Sequence, residues 1–325
     1  MHTRLLLYPL LLTPTLHTRV WGGRKLATIF DKPLPTSEPY GESWELHDSA
    51  TVANGSLTGW TVGALLKEYG AALVGEGNDA LLGFPLLVKF LDAQDWLSVQ
   101  VHPDDLQAAR LEGEPRGKTE AWVILQHDPG AQIVIGVQPG TTREAMAQAI
   151  RDNTLESLLI ATEAHTGDVL YLRANTIHAL GPGLMIYEIQ QSSDVTYRLY
   201  DWGRMGLDGK PRALHIDKGV QVSNVDSVPQ ITHPGSDDAP VTFMVQGEFF
   251  STVRYRVDEA LRPAPELDTR NKRFHALTCT RGNAGVDWNG HVLDFVSGQT
   301  ILVPANAGEY RLVGTGEILL SWQGD

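Results

Sequence analysis

Four residues of the sequence have the types and spacing of a divalent-metal site. Gln100 and His102 are two positions apart in an extended segment, so both side chains project from the same face of a strand. Glu120 begins a second apolar run, and His178 follows a third. Two imidazoles, one carboxylate and one amide oxygen suit Zn²⁺ or another first-row divalent ion. Hydrogen-bonded histidines are the competing interpretation, since the chain has 11.

A second group of residues could bind and transform an anionic substrate. Lys89 lies inside an apolar run, where an unpaired ammonium would be costly unless it reaches an end or serves a site. Lys118 is two positions before Glu120, so an extended chain places both on one face. Asp194 and Arg198 share a face of a later strand. A solvated polar face with an Asp–Arg pair is the alternative for these last two.

Composition limits the class of partner. The 325 residues carry 26 basic and 39 acidic side chains, for a formal net charge of -13. A field of that sign repels nucleic acid and anionic membranes, so we expect neither as a partner. A phosphorylated substrate would therefore need a local basic site. The single cysteine, Cys279, allows no disulfide within the chain and fits a cytoplasmic protein, and nothing in the sequence specifies an oligomeric state.

The N-terminal segment has only part of the pattern of a signal peptide. Its apolar run, Leu5–Leu12, is interrupted by Pro9, and no small-residue cleavage site follows. We interpret it as an extended segment that leads into the fold. No other stretch approaches the roughly 18 apolar residues that a membrane helix needs.

Short apolar runs between turn residues predict an all-β fold with a few inserted helices. Helical patterns occupy about 61–75 and 141–160, the second with Thr141 and Glu144 at capping-box spacing and Asp152-Asn153 as a possible division. A polar, turn-rich segment at 225–240 predicts a boundary between domains 1–230 and 231–325.

An internal repeat indicates that the two domains are similar. Gly167, Asn175 and His178 have the spacing of Gly298, Asn306 and Glu309, with an apolar strand after each glycine. We expect Gly to open each bend and Asn to adopt a left-handed turn. This pattern favours two β-barrels, of which the second is degenerate and without metal, because it lacks a His-x-His pair.

Several segments then resemble type I mannose-6-phosphate isomerases in order and spacing, from about Leu7 to His215. They are Trp21-Gly-Gly, Gly41-Glu-Ser-Trp-Glu, Leu86-Leu-Val-Lys89-Phe-Leu, Leu97-Ser-Val-Gln100-Val-His102-Pro, Gly117-Lys-Thr-Glu120-Ala-Trp, Thr176-Ile-His178-Ala-Leu-Gly and Tyr187-Glu-Ile-Gln-Gln-Ser-Ser-Asp194-Val-Thr-Tyr-Arg198. The resemblance is to the short bacterial form, which implies two cupin-type jelly-roll barrels. It also implies one Zn²⁺ per chain and interconversion of mannose 6-phosphate and fructose 6-phosphate.

By matching positions, the resemblance implies Gln100, His102, Glu120 and His178 as metal ligands and Arg198 as an active-site residue. An enediolate needs a cation to stabilise its oxyanion, which Zn²⁺ and Arg198 would supply. Lys118 could act as the base if a nearby cation and burial lower its pKa.

Other residues share these expected roles. Asp194, Glu188 and a metal-bound hydroxide remain alternative bases. Lys89 and Ser98 are candidates for substrate contact, including the phosphate, with Glu188 beside them.

Two other functions fit part of the pattern. Two histidines and one carboxylate also form the facial triad of Fe(II) oxygenases. A non-catalytic sugar-binding cupin is the second alternative, but it gives no reason for Lys118 and Arg198 to accompany the ligands.

Overall fold

The computed structural model describes residues 7–78, 80–235, 238–258, 260 and 265–324. Residues 1–6 of the N-terminal segment and 236–237 of the predicted boundary lie outside these ranges. Strands predominate in the described part of the chain, so the prediction of an all-β fold with inserted helices is confirmed.

The strands are β1 (Leu10–Thr13), β2 (Thr15–Gly23), β3 (Tyr40–Leu46), β4 (Thr51–Val52), β5 (Leu86–Ala93), β6 (Val99–Val101), β7 (Glu120–His127), β8 (Gln132–Val137), β9 (Leu159–Glu163), β10 (Val169–Leu172), β11 (Ala179–Leu180), β12 (Leu184–Gln191), β13 (Tyr197–Tyr200), β14 (Ile231–Thr232), β15 (Val241–Gln246), β16 (Phe250–Asp258), β17 (Glu266–Asp268), β18 (His275–Trp288), β19 (His291–Val296), β20 (Thr300–Val303) and β21 (Glu309–Gln323). The α-helices are α1 (Lys25–Phe30), α2 (Val62–Tyr69), α3 (Ala71–Val74), α4 (Asp105–Glu112), α5 (Arg143–Arg151) and α6 (Ile216–Val222). Short 3-10 helices span Gly55–Leu57, Ala80–Leu82, Leu155–Leu158 and Ala305–Ala307.

Two large antiparallel sheets organise these strands. A seven-stranded sheet runs in the order β14-β10-β7-β12-β5-β3-β2. A nine-stranded sheet has the path β15-β16-β21-β18-β20-β1-β4, with β17 paired to β21 and β19 to β18. Two small sheets, β11-β8-β9 and β13-β6, complete the pairing among the described strands.

The central strands β5 and β12 are buried along their whole length. Because side chains alternate between faces, one face of each strand can form a site while the other packs into a core. One apolar cluster joins both large sheets, with Phe90 and Tyr187 from the first and Phe250 and Leu319 from the second. The seven-stranded sheet is therefore enclosed on the face that packs against the nine-stranded sheet.

Helices occupy both predicted segments, with one correction. The N-cap of α5 is Thr142, whose side chain accepts a hydrogen bond from the Ala145 amide. The prediction of Thr141 as the cap is wrong by one residue, because its hydroxyl instead donates to the Gln138 carbonyl in the preceding turn. Asn153 adopts a left-handed backbone (φ 57°) after α5, where the sequence predicted a division.

The first strand of the chain belongs to the sheet formed by the last ones. Leu10 and Leu12 of β1 pair with Leu302 and Thr300 of β20, and β4 extends the same edge. The predicted domains 1–230 and 231–325 remain a prediction, and this N-terminal strand crosses the proposed boundary. None of the described helices has the length and apolarity needed to cross a membrane.

Candidate active site

Backbone pairing brings together two of the predicted metal ligands, which are 78 residues apart in sequence. Gln100 and His178 form an isolated antiparallel bridge, in which each amide donates to the other's carbonyl at 3.0 Å. Their side chains therefore lie side by side, with Gln100 Nε2 3.3 Å from His178 Nε2. A half-turn of the Gln100 amide would present its oxygen at that position.

His102, Glu120 and His178 form a buried cluster whose ligand atoms all lie within 4.8 Å of one another. Glu120 Oε2 is 3.6 Å from His102 Nε2, and Glu120 Oε1 is 3.2 Å from His178 Nε2. The other nitrogen of each histidine faces a backbone carbonyl at 2.9 Å, from Val195 for His102 and from Thr176 for His178. Donation from Nδ1–H to these carbonyls leaves both Nε2 lone pairs directed at Glu120.

This donor set fits a divalent cation. His102 Nε2 and Glu120 Oε1 are buried without a hydrogen-bond partner. Lone pairs of imidazole and carboxylate that face one another at these distances repel unless a cation lies between them. Nitrogen and oxygen donors from two His and one Glu match the ligands preferred by first-row divalent ions.

Lys118 and Glu120 form a buried ion pair at this cluster, with Nζ 2.8 Å from Oε2. Burial raises the pKa of Glu120, but the Lys118 ammonium outweighs it and the pKa lies well below its usual range. Burial lowers the pKa of Lys118, but the carboxylates of Glu120 and Glu188 outweigh it and raise that pKa above its ordinary value. The two nearby carboxylates therefore dominate the pKa of Lys118, and its role as the base stays a hypothesis.

A cavity of about 620 Å³ opens beside the cluster. Five basic and four acidic side chains line it, in a chain whose overall charge is strongly negative. The cavity brings together seven residues singled out by sequence: Lys89, Ser98, Gln100, Lys118, Glu188, Asp194 and Arg198. His102, Glu120 and His178 lie behind this lining, so the described structure unites all ten predicted site residues.

Lys89 and Glu188 form the floor of the cavity and are paired in register on β5 and β12. Lys89 Nζ lies 2.9 Å from Glu188 Oε1, and both side chains are buried. Trp122 Nε1 donates to Glu188 Oε2 at 2.9 Å, so both oxygens of this carboxylate have partners. The buried ammonium of Lys89, for which the sequence predicted a role in a site, is therefore paired with a carboxylate inside the cavity.

Arg198 lies on β13 and lines the cavity, and its backbone pairs with that of Gln100. Its Nη1 donates to the Ala213 carbonyl at 3.0 Å, and its Nε is buried without a hydrogen-bond partner. Asp194 lines the same cavity and is exposed to it. The ion pairs of the described residues do not include an Asp194–Arg198 pair, which was the alternative interpretation of these two side chains.

Sequence reasoning assigned no role to four charged residues that also line the cavity, Arg19, Glu42, Asp208 and Arg212. Arg19 forms a bidentate pair with Glu42 across β2 and β3, at 2.9 Å for both contacts. Arg212 forms a second bidentate pair, with Asp201. The only signal for the first pair was that Glu42 lies in the Gly41-Glu segment and Arg19 lies two residues before the Trp21-Gly-Gly segment, both noted for their family resemblance.

The fold and the buried cluster define a class, a cupin with a site suited to a divalent cation. Residues 10–129 match the phosphomannose isomerase type I catalytic domain, and residues 240–323 match the mannose-6-phosphate isomerase cupin domain. A probable mannose-6-phosphate isomerase of Bacillus subtilis, GmuF, is 33% identical over 97% of this chain and 99% of that protein. The chain belongs to the type I phosphomannose isomerase family.

Two further relatives support this assignment. The mannose-6-phosphate isomerase of Streptococcus mutans is 36% identical over 78% of this chain and 80% of its own. The crystal structure of the mannose 6-phosphate isomerase from Bacillus subtilis superposes with a TM-score of 0.87 at 30% identity, covering 97% of this chain and 99% of that one. The predicted family and cupin-type fold are confirmed.

Proposed function

We propose that this chain interconverts mannose 6-phosphate and fructose 6-phosphate through an enediolate. The convergence of seven predicted side chains on one cavity, beside a buried His–Glu–His cluster, carries this proposal. Family membership supports the same aldose–ketose isomerisation. A phosphorylated sugar substrate and a single cysteine fit a cytoplasmic enzyme.

Zn²⁺ is the ion that we propose for the cluster, one per chain. His102, Glu120 and His178 would hold it, and the Gln100 amide oxygen would be the fourth protein ligand. When bound, the ion supplies positive charge that polarises the substrate oxygens and stabilises a developing enediolate.

The residues of the chain account for the proton and charge movements. The isomerisation moves one proton between C2 and C1 and another between the oxygens on these carbons, so a base must accept and return a proton. One Glu188 oxygen is ion-paired with Lys89 and the other accepts from Trp122, which leaves Asp194 as the freer of the two candidate carboxylates. Lys118 is paired with Glu120 and Arg198 lines the same cavity, so their positive charges would offset the charge of the enediolate.

The remaining residues bind and orient the sugar. The Lys89 ammonium and the Ser98 hydroxyl line the cavity as donors to substrate oxygens. Glu188 holds Lys89 at 2.9 Å, so it also fixes the direction of that donor.

A coupled assay for fructose 6-phosphate formation tests this function. Wild-type protein should convert mannose 6-phosphate, chelator should abolish turnover, and added Zn²⁺ should restore it. Arg198→Ala should lower kcat/KM by at least about 100-fold, since buried charge-assisted contacts to a transition state contribute several kcal/mol. Arg151→Ala, an exposed arginine at the end of α5, is the matched control and should retain activity.

An oxygenase would behave differently in the same protein sample. Fe(II) content together with oxygen consumption, and no fructose 6-phosphate, would exclude the isomerase. Turnover of another hexose phosphate, but not of mannose 6-phosphate, would keep the reaction class and exclude the proposed substrate.

A further inference from the structure

We propose that Arg19, held in place by Glu42, binds the phosphate group of the substrate at the side of the cavity away from the metal cluster. The identity of the sugar rests on the proposed function, but the binding of a phosphate by Arg19 is argued independently from the contacts below.

Arg19 is a cation with hydrogen-bond donors to spare. A guanidinium carries five N–H donors. Arg19 Nε and Nη2 each donate to Glu42 at 2.9 Å, and Nη1 donates to the Thr18 carbonyl at 3.1 Å. Two N–H groups remain, on the two terminal nitrogens. The side chain is 32% exposed and lines the cavity, so these donors can reach a bound anion.

Glu42 holds this guanidinium rigidly. Its side chain is 11% exposed, and Trp44 Nε1 donates to its Oε2 at 2.7 Å. Burial raises the pKa of Glu42, but Lys89 and Arg19 outweigh it and lower the pKa to about 2, so the carboxylate is charged at neutral pH. A planar fork fixed at two points loses little side-chain entropy when it binds a tetrahedral oxyanion.

The position of this pair suits the end of the substrate that does not react. Glu42 lies on β3, three strand steps from Glu120 on β7, on the order of 14 Å along the sheet at about 4.8 Å per step. Lys118 is engaged by Glu120, and Arg198 lies opposite Gln100, so these cations serve the metal side of the cavity. Arg19 lies on β2, the edge strand at the other end of the seven-stranded sheet.

The other cations of the cavity are less suited to the phosphate. Lys89 is buried and neutralised by Glu188. Arg212 is paired with Asp201, which lies on the segment that follows Arg198. Burial lowers the pKa of Arg198, and the nearby guanidinium of Arg212 lowers it further. Arg212 therefore lies on the same side as Arg198.

Calorimetric binding of non-reacting ligands tests this inference. A hexitol 6-phosphate has no carbonyl and cannot be isomerised, and the unphosphorylated hexitol and inorganic phosphate report the two parts of the ligand separately. Arg19→Met should weaken binding of hexitol 6-phosphate and of inorganic phosphate by about 10- to 150-fold, the loss expected for charge-assisted hydrogen bonds. Binding of the unphosphorylated hexitol should not change.

Arg256 supplies a matched control. Its Nε and Nη2 both donate to Glu317 Oε2 on a neighbouring strand of the other sheet, at 3.1 and 3.0 Å, and its exposure is similar to that of Arg19. Arg256→Met should leave all three affinities unchanged. Arg19→Lys keeps the charge but loses the fork, so its affinity for hexitol 6-phosphate should fall between those of wild type and Arg19→Met.

Arg19→Met leaves Glu42 without its bidentate hydrogen-bond partner, so a second variant guards against a folding defect. Arg19→Met combined with Glu42→Gln removes the buried charge and should show the same loss of phosphate binding with restored stability. Wild-type affinity for hexitol 6-phosphate in both variants would overturn the inference. So would the same loss in Arg212→Met with none in Arg19→Met. A wild type that binds hexitol 6-phosphate through Arg19 but does not convert mannose 6-phosphate would instead overturn the proposed function alone.

Discussion

At the scale of single residues, the two histidines of the cluster are oriented by backbone carbonyls. His102 faces the Val195 carbonyl and His178 faces that of Thr176, each at 2.9 Å. Backbone anchors of this kind cannot be removed by changing one side chain, so ligand geometry depends on the course of the segments before β13 and before β11. Glu120 is the only anion among the three residues of the cluster, so it supplies the negative charge that would attract a cation.

Glu120→Gln should therefore remove the metal while keeping the size of the side chain. The amide is neutral, and Lys118 would remain as an unpaired ammonium 2.8 Å from it, which repels a cation. We expect near-stoichiometric metal in wild type and at least a tenfold lower content in the variant after dialysis, measured by plasma mass spectrometry. Glu163→Gln on the exposed part of β9 is the control. Equal metal content in both variants would contradict the assignment.

The pKa of Glu42 predicts a dependence of stability on acid pH. The folded pKa is about 2 against an ordinary value of 4.5, so its contribution is complete above pH 4.5 and is lost as pH falls toward 2. Of about 3 kcal/mol in total, roughly 2 kcal/mol should be lost between pH 5 and pH 3. Urea unfolding at both pH values should show this loss in wild type and a smaller one in Glu42→Gln. Equal losses would mean that Arg19 and Lys89 do not stabilise the charged form.

There is a physical reason why some residues of the cavity could be predicted from the sequence and others could not. Gln100, His102, Lys118 and Glu120 were predictable because alternation along a strand fixes which side chains share a face. Arg19 was not, because the pairing of β2 with β3 shifts register between His17 and Thr18 and again before Gly23. Such irregularities change the face on which a side chain lies, and nothing in the local sequence specifies them.

At the scale of elements, the internal repeat is partly realised. Gly167 and Gly298 both adopt a positive φ, at 92° and 87°, before the strands β10 and β20. Asn175 adopts the left-handed turn with φ 71°, as predicted. Asn306 does not, because it lies in a short 3-10 helix and Gly308 takes the positive φ instead. The spacing of a motif therefore predicted the strands better than it predicted the turns.

The Asn175 turn positions the metal cluster, which a pair of substitutions can test. Its amide donates to the His102 carbonyl at 2.8 Å, and its side-chain nitrogen donates to that carbonyl at 3.2 Å and to Gln107 at 2.6 Å. Asn175→Ala should lose about 1–2 kcal/mol for the left-handed backbone in addition to the side-chain hydrogen bonds. Asn175→Gly tolerates the backbone and should recover that part only. Thermal unfolding measures the loss of stability, and metal affinity measures the effect on the cluster. Identical values for Asn175→Ala and Asn175→Gly would exclude a contribution from the left-handed backbone.

At the scale of the whole molecule, the two large sheets are parts of one packed structure. β1 joins the C-terminal sheet, and one apolar cluster contains residues from both sheets. Lys32 bridges them with a buried ammonium that lies 2.7 Å from Glu45 and donates to the Gly298 carbonyl. Unfolding of one sheet would therefore expose the core of the other.

We expect one cooperative unfolding transition, reported equally by near-ultraviolet circular dichroism and by enzymatic activity. Leu10 on β1 is fully buried, so Leu10→Ala should lower the free energy of unfolding by about 2–5 kcal/mol and shift both signals together. Leu106→Ala removes the same atoms from a side chain that is 84% exposed and should change stability by less than about 0.5 kcal/mol. Two separated transitions would show that the sheets unfold independently.

Strand β12 has a further consequence for hybrids of this enzyme with its relatives. Glu188 faces the cavity, while its neighbour Tyr187 donates or accepts a hydrogen bond at 2.7 Å with Ser321, which is bonded in turn to Thr252 at 2.8 Å. A chimera that takes its C-terminal part from a relative keeps this row of hydrogen-bonded hydroxyl groups only if the relative has hydroxyl residues at the positions of Ser321 and Thr252. We expect chimeras that break this row to lose turnover before they lose solubility, and restoring Ser321 and Thr252 to bring it back. Segments joined near residue 240 would thus have to keep the hydroxyl groups of Tyr187, Thr252 and Ser321, none of which lines the cavity.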